Sequence, residues 1–167
     1  MAETDKKGAK MIGEILIESE LITREQLDTV LEIQKQENRR VGELVIEMGY
    51  VTEEQLIKAL EYMFHIPYVD LNALTIERGV LSLISESIAQ KYWIIPIAKE
   101  QNVLTVAMFD PLDFFAIDDV SMVTGLEVKT CISTKSEIIR AIDRYYGNES
   151  AERAVEDLRK EYSLLLL

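Results

Sequence analysis

The sequence predicts an α+β fold, in which an N-terminal four-helix unit made of two repeated helical hairpins precedes a small α/β subdomain with a short, mainly antiparallel sheet. The first observation is a repeat: residues 11–34 and 40–63 align without a gap at an offset of 29 residues, with ten identities in 24 positions. Such a duplication is typical of two copies of one supersecondary unit that pack on each other. The second is that apolar, β-branched runs replace the helical pattern beyond residue 65.

Composition and charge exclude several classes of protein. The chain of 167 residues carries 30 acidic and 18 basic side chains, for a net charge of −12, which disfavours binding to long nucleic acid. No apolar run is long enough for direct membrane insertion, and the N-terminus does not resemble a signal peptide. A single cysteine, Cys131, and the lack of a Cys/His cluster argue against a disulfide or a metal site. We therefore expect a cytoplasmic protein.

The repeat predicts where the N-terminal helices begin and end. A Thr-x-x-Gln capping box opens the longer helix of each copy, with Thr23 in the first and Thr52 in the second. Gly49 is expected to end the short helix of the second copy in a left-handed conformation. Residues 35–39 are too few to separate two domains. We therefore predict one helical subdomain over residues 1–64.

A second subdomain is predicted over residues 65–147. IPYVDL is typical of a short strand, and WIIPIAKE and NVLTVAMF of a hairpin that turns at Gln101 and Asn102. Pro96 lies within the first run, so we expect that strand at an edge of the sheet. LEVKTCIST supplies a third strand.

Helices are predicted on both sides of this third strand. Asp110 is expected to cap a helix that ends at Gly125. Thr134 is expected to cap the next helix, as the first residue of a capping box. Gly147 is expected to end that helix, so that 148–167 forms a separate charged linker helix.

The repeat resembles the paired motif of the MshEN domain, an N-terminal regulatory domain of type II secretion ATPases and of PilB-like type IV pilus assembly ATPases. Two 24-residue motifs separated by five residues are that family's arrangement, and 11–34, 35–39 and 40–63 reproduce it. YWIIPIAKE, LTVAMFDPLDFFAIDDV and IDRYYG are similar to its second subdomain. The resemblance implies a bacterial protein peripheral to the inner membrane through its partners, with 148–167 leading to a missing ATPase region.

The resemblance also implies a ligand, cyclic di-GMP, and no catalytic cofactor. Arginine offers a planar donor fork to phosphate or to a guanine edge, glycine lets backbone N–H groups approach a phosphate, and leucines cover purine faces. The implied site residues are Ile12, Gly13, Leu27, Leu31 and Gln34 from the first motif, Arg40, Val41, Gly42, Leu56 and Leu60 from the second, and Asp110 from the second subdomain.

The two motifs depart from the family pattern in different ways. Met11 stands where the first motif expects a basic residue, for which Lys10 is a partial substitute, and Glu20 stands one position from an expected glycine. Met63 replaces the glutamine that the first motif keeps as Gln34. Loss of one charge-assisted hydrogen bond costs about 1.5–3 kcal/mol. A ligand would therefore need both copies at once, as one composite site.

Two functions of different classes remain open. The first is a non-catalytic regulatory domain that binds cyclic di-GMP and controls the ATPase motor. The alternative is a nucleotide-independent adaptor that docks the ATPase onto an inner-membrane platform protein; a stand-alone signalling protein is a third possibility. The chain has no G-x-x-x-x-G-K-[ST] sequence, so it is not itself expected to be the enzyme. The leucines equally predict a core, since a ligand platform requires them half-exposed in a groove.

Overall fold

The computed structural model describes residues 11–166, apart from the side chains of residues 148–150. Lys10, a proposed substitute for a missing basic residue, lies outside the described residues. The chain is helical over 11–18, which we call α1. The other elements are α2 Arg24–Glu37, α3 Val41–Glu47, α4 Glu53–Phe64, α5 Arg78–Leu81, α6 Glu86–Tyr92, β1 Ile94–Glu100, β2 Val103–Met108, α7 Phe114–Thr124, β3 Glu127–Ile132 and α8 Lys135–Leu165.

The two copies of the repeat form two helical hairpins, α1–α2 and α3–α4. Both predicted capping boxes are confirmed. The Thr23 hydroxyl accepts from the Gln26 N–H at 3.2 Å, and the Gln26 side chain accepts from the Thr23 N–H at 2.9 Å. Thr52 and Gln55 repeat this arrangement at 3.1 and 3.0 Å. The longer helix of each copy therefore begins where its local sequence predicts.

The same turn follows the short helix of each copy. The Glu20 N–H donates to the Ile17 carbonyl at 2.9 Å, and the Gly49 N–H donates to the Ile46 carbonyl at 3.0 Å. Both residues are left-handed, with φ of 58° at Glu20 and 76° at Gly49. Glu20 is therefore the residue equivalent to Gly49, at a left-handed position that favours glycine, and the expected glycine position is not one residue away.

We expect Glu20→Gly to raise the free energy of unfolding by about 0.5–1 kcal/mol, because glycine adopts positive φ without steric cost. Gly49→Ala should lower it by a similar amount, since that substitution introduces the same strain into the second copy. Urea denaturation of both variants measures the two effects. A loss of stability in Glu20→Gly would contradict the prediction.

The sheet is mixed, with strand order β1-β2-β3. β1 is antiparallel to β2, but β3 is parallel to β2, because helix α7 carries the chain back across the sheet before β3 begins. The predicted hairpin is confirmed, and β1 lies at an edge as Pro96 indicated. The predicted strand in IPYVDL is wrong: that segment makes a single parallel bridge between Tyr68 and Ile132.

Helix α7 begins one turn later than predicted. Its cap is Asp113, whose Oδ1 accepts from the Ala116 N–H at 3.1 Å. Asp110 instead closes a preceding turn by accepting from the Leu112 N–H at 3.0 Å. Proline suits the first turn of a helix, so Pro111 does not forbid a start at Asp110. The chain instead makes one turn first, in which the Asp113 N–H donates to the Asp110 carbonyl at 3.2 Å. Both carboxylates are thereby placed beside the helical repeat.

Helix α8 runs without a break from Lys135 to Leu165, so the predicted end at Gly147 is wrong. A glycine within a helix costs about 1 kcal/mol but does not oblige the helix to end. Thr134 caps α8 as predicted, accepting from the Glu137 N–H at 3.1 Å. The Glu137 side chain does not complete a capping box, because it accepts from the Tyr68 hydroxyl at 2.6 Å. The division of the chain at 147 stays a prediction.

One continuous core joins the helical repeat to the sheet. It includes Leu16 and Val45 from the two short helices, Ile94 and Leu104 from the sheet, and Ile138 from α8, all almost completely buried. The two subdomains are therefore packed against each other through apolar contacts. Within residues 11–166, no helix is both long enough and apolar enough to cross a membrane.

Candidate ligand-binding cleft

A cleft of about 410 Å³ lies between the helical repeat and the α/β subdomain. Five of the residues implied by the family resemblance line it: Ile12, Gln34, Arg40, Val41 and Asp110. The cleft is also lined by Asn38, Arg39, Glu43, Lys91, Tyr92, Trp93, Leu112, Asp113 and Phe115. The other six predicted residues, Gly13, Leu27, Leu31, Gly42, Leu56 and Leu60, are not among the lining residues. The structure thus brings together the polar part of the predicted site.

Gln34 and Arg40 reach the cleft from different copies of the repeat. Gln34 is in the last turn of α2, and its carbonyl accepts from the Asn38 N–H at 3.1 Å. Asn38 then adopts a left-handed conformation with φ of 51°, which turns the chain back. Arg40 immediately precedes α3. The short linker therefore places the end of the first motif beside the start of the second.

The Arg40 guanidinium is only partly satisfied. Its Nη2 donates to Asp113 Oδ2 at 2.6 Å. Its Nη1 lies 3.8 Å from Asp110 Oδ2 and is buried without a hydrogen-bond partner. A buried donor that lacks a partner costs free energy, and a phosphate or carbonyl oxygen bound in the cleft would remove that cost.

A second ion pair connects the two subdomains at the cleft. Glu43 of α3 accepts from the Lys135 ammonium at the start of α8, at 2.9 Å, and from Arg39 Nη2 at 2.9 Å. Burial alone would raise the pKa of Glu43, but the hydrogen bonds from Lys135 and Arg39 outweigh it and hold the pKa below its usual range. Lys135 also lies 5.2 Å from the centre of the Trp93 ring. Glu43 therefore stays charged and attached to α8 at neutral pH.

The two motif glycines permit close packing of each short helix on its longer partner. A Cβ at Gly13 would lie 2.5 Å from Leu27 Cδ1, and a Cβ at Gly42 would lie 3.2 Å from Leu56 Cδ2. The glycine and leucine of each motif therefore form one packing contact, repeated in both copies. Their predicted approach to a phosphate stays a prediction.

The motif leucines are mainly core residues in this structure. Leu27, Leu56 and Leu60 are each 2 % exposed, and Leu31 is partly buried against the same core. Contact with a purine face would require these side chains to become accessible. The ligand-platform role of the leucines therefore stays a prediction.

Sequence reasoning missed most of the lining from the second subdomain. The sequence does carry a signal for Asp113, since DPLDFF contains two aspartates, each of which suits a helix cap. Lys91, Tyr92 and Trp93 form a cation–aromatic run, but the sequence carries no signal that α6 faces the repeat. Arg39, beside Arg40, is bound by Glu43 and Glu47, which raise its pKa.

The fold and the cleft define a class: a domain of two subdomains, in which tandem helical motifs face a small α/β unit across a mixed-charge cleft. Comparison with known families names it. The family model of the MshEN domain matches residues 64–152, more than half of the chain, and the chain belongs to this family. The match lies on the second subdomain and the first part of α8, and it does not include the tandem motifs.

Curated relatives extend the similarity over most of the chain. The type IV pilus assembly ATPase PilB of Myxococcus xanthus is 29 % identical over 147 residues, which is 88 % of this chain and 26 % of the relative. PilB of Thermus thermophilus is 31 % identical over 141 residues, 83 % of this chain and 16 % of the relative. The chain thus spans about a quarter or less of these relatives.

Two solved structures share the fold. The structure of MshE with cdg, cyclic di-GMP, has a TM-score of 0.69 at 27 % identity and covers 81 % of this chain and 98 % of that one. The N-terminal domain of XpsE has a TM-score of 0.68 at 23 % identity, and the match covers 83 % of this chain and 95 % of that one. The predicted fold class is confirmed, as is the prediction that the chain is not the catalytic part of an ATPase.

Proposed function

We propose that this domain binds cyclic di-GMP in the cleft between its subdomains and thereby regulates a type IV pilus assembly or type II secretion ATPase. The observation that supports it most is that Arg40 and Gln34, from the two copies of the repeat, line one cleft with Asp110 of the second subdomain. The similarity to MshE, whose structure was solved with this ligand, supports the same choice.

The chemistry of the cleft suits a guanine nucleotide. Arg40 Nη1 is a donor that lacks a partner, and it can donate to a phosphate oxygen or to the acceptors of a guanine edge. A carboxylate at Asp110 accepts from N–H donors of the kind that guanine carries. Trp93 and Phe115 add aromatic surface for a base. The lining therefore offers donors, acceptors and flat apolar surface together.

Isothermal titration calorimetry with cyclic di-GMP tests the proposal. We expect Arg40→Ala to weaken binding by about tenfold to a hundredfold or more, because it removes a charge-assisted hydrogen bond. Gln34→Ala should also weaken binding. Arg24→Ala is the matched control, since Arg24 forms an exposed ion pair with Glu14 outside the cleft and its loss removes the same charge.

Wild-type protein that releases no heat and shows no binding at about 100 μM overturns the proposal. Equal losses in Arg40→Ala and Arg24→Ala would show that the overall charge matters and not this cleft. Either result would favour the nucleotide-independent adaptor function.

Regulation of the motor is proposed to pass through α8. Lys135, in its first turn, pairs with Glu43 beside the cleft, and the helix continues to Leu165. A ligand that draws the subdomains together would shift α8, and with it an ATPase region of the same full-length chain, held at the inner membrane through a platform protein. Identical ATP hydrolysis rates of that full-length protein with and without saturating cyclic di-GMP would contradict this coupling.

The nucleotide-independent adaptor is not favoured. It required the leucine face of the repeat to be available for a protein partner, and Leu27, Leu56 and Leu60 are buried in the core. The similarity to MshE, whose structure was solved with cyclic di-GMP, also favours a nucleotide ligand.

A further inference from the structure

We propose that Asp113 sets the affinity of the cleft for its anionic ligand by competing for the Arg40 guanidinium. This inference rests on the proposed function, because it takes Arg40 as the group that receives the ligand. The two residues are 73 positions apart in the chain, and their contact joins the helical repeat to the α/β subdomain. Asp113 acts through Arg40 and is therefore a positioning residue.

The Arg40–Asp113 contact is short and shielded from water. Arg40 Nη2 and Asp113 Oδ2 are 2.6 Å apart, and the side chains are 26 % and 8 % exposed. Salt screens charges in such surroundings less than it screens exposed ones. A second carboxylate, Asp110, lies 3.8 Å from Nη1 of the same guanidinium. A phosphate that approaches Arg40 therefore meets two carboxylates around one positive charge.

Asp113 is held in this position by a second role. Its Oδ1 accepts from the Ala116 N–H at 3.1 Å and caps α7, while Oδ2 contacts Arg40. The carboxylate cannot turn away from Arg40 without leaving the cap. Arg40, by contrast, has one amino group held and the other, Nη1, without a partner. The ligand must therefore bind against a fixed negative charge that the protein itself supplies.

Asp113→Asn separates the two roles, because asparagine caps a helix about as well as aspartate but carries no charge. We expect this variant to bind cyclic di-GMP about tenfold more tightly than wild type, since a like charge within a few ångströms of the ligand is removed. Asp118→Asn is the matched control. It makes the same charge change on an exposed residue of the same helix and should alter affinity by less than about twofold.

The salt dependence of binding gives a readout that a structural defect would not produce. With Arg40 no longer neutralised by Asp113, affinity should fall more steeply between about 50 and about 300 mM salt in Asp113→Asn than in wild type. Thermal unfolding of each variant, followed by circular dichroism, establishes that the compared proteins are folded.

The outcomes distinguish this inference from the proposed function. Wild-type binding with equal or weaker binding by Asp113→Asn overturns the role of Asp113 and leaves the ligand assignment in place. An equal gain in Asp118→Asn overturns it as well, since net charge would then suffice. Absence of wild-type binding at about 100 μM overturns the proposed function, and this inference with it, whatever Asp113→Asn does.

Discussion

Leu60→Ala is expected to lower the free energy of unfolding by about 2–5 kcal/mol, because it leaves a cavity in the core. Leu60 is 2 % exposed, in the helix that closes the second copy of the repeat. The first copy offers a matched control, since Leu31 occupies the equivalent position but is only partly buried. Leu31→Ala should therefore cost distinctly less than Leu60→Ala. Chemical denaturation of both variants measures the difference.

This pair of variants also decides what the motif leucines do. A large loss of stability in Leu60→Ala identifies the side chain as a core residue, which is its place in the structure. Unchanged stability with weakened cyclic di-GMP binding would instead identify Leu60 as part of a ligand platform, and would contradict the prediction. The same substitution thus gives opposite results for the two roles of the motif leucines, core residue and ligand platform.

Gly13→Ala is expected to lower the free energy of unfolding by about 1–3 kcal/mol, because the added Cβ would overpack the contact between α1 and α2. That Cβ would lie 2.5 Å from Leu27 Cδ1 and 2.8 Å from Leu27 Cδ2, so the buried leucine must move. Gly42→Ala should cost less, since its Cβ would lie 3.2 Å from Leu56 Cδ2. Alanine also has the higher helix propensity, which offsets part of that smaller cost.

Urea denaturation of Gly13→Ala and Gly42→Ala, measured side by side, tests this order. A greater loss of stability at Gly42 than at Gly13 would contradict the packing account. Neither glycine lines the cleft, but Gly42 lies two residues from Arg40, which does, so the two variants should also be titrated with cyclic di-GMP. Loss of binding in Gly42→Ala with little loss of stability would favour the predicted approach of its backbone to a phosphate.

Sequence reasoning predicted the local elements well where the signal lies within one turn of helix. The Thr23 and Thr52 capping boxes and the edge position of the strand with Pro96 all rest on hydrogen bonds or steric effects between near neighbours. It failed where two local signals competed. Asp110 and Asp113 both suit a helix cap, and the structure uses Asp110 to close a turn and Asp113 to cap the helix.

By itself, the sequence determined the duplication, the starts of α2, α4 and α8, the hairpin and the family resemblance. It also determined that the first motif keeps Gln34 and the second keeps Arg40. Only the tertiary structure decided that β3 pairs in parallel, that α8 continues through Gly147, and that Asp113 reaches Arg40. The physical reason is distance along the chain. Caps and turns depend on groups three or four residues apart, whereas strand direction, leucine burial and an ion pair between residues 73 positions apart depend on how the finished helices and sheet pack.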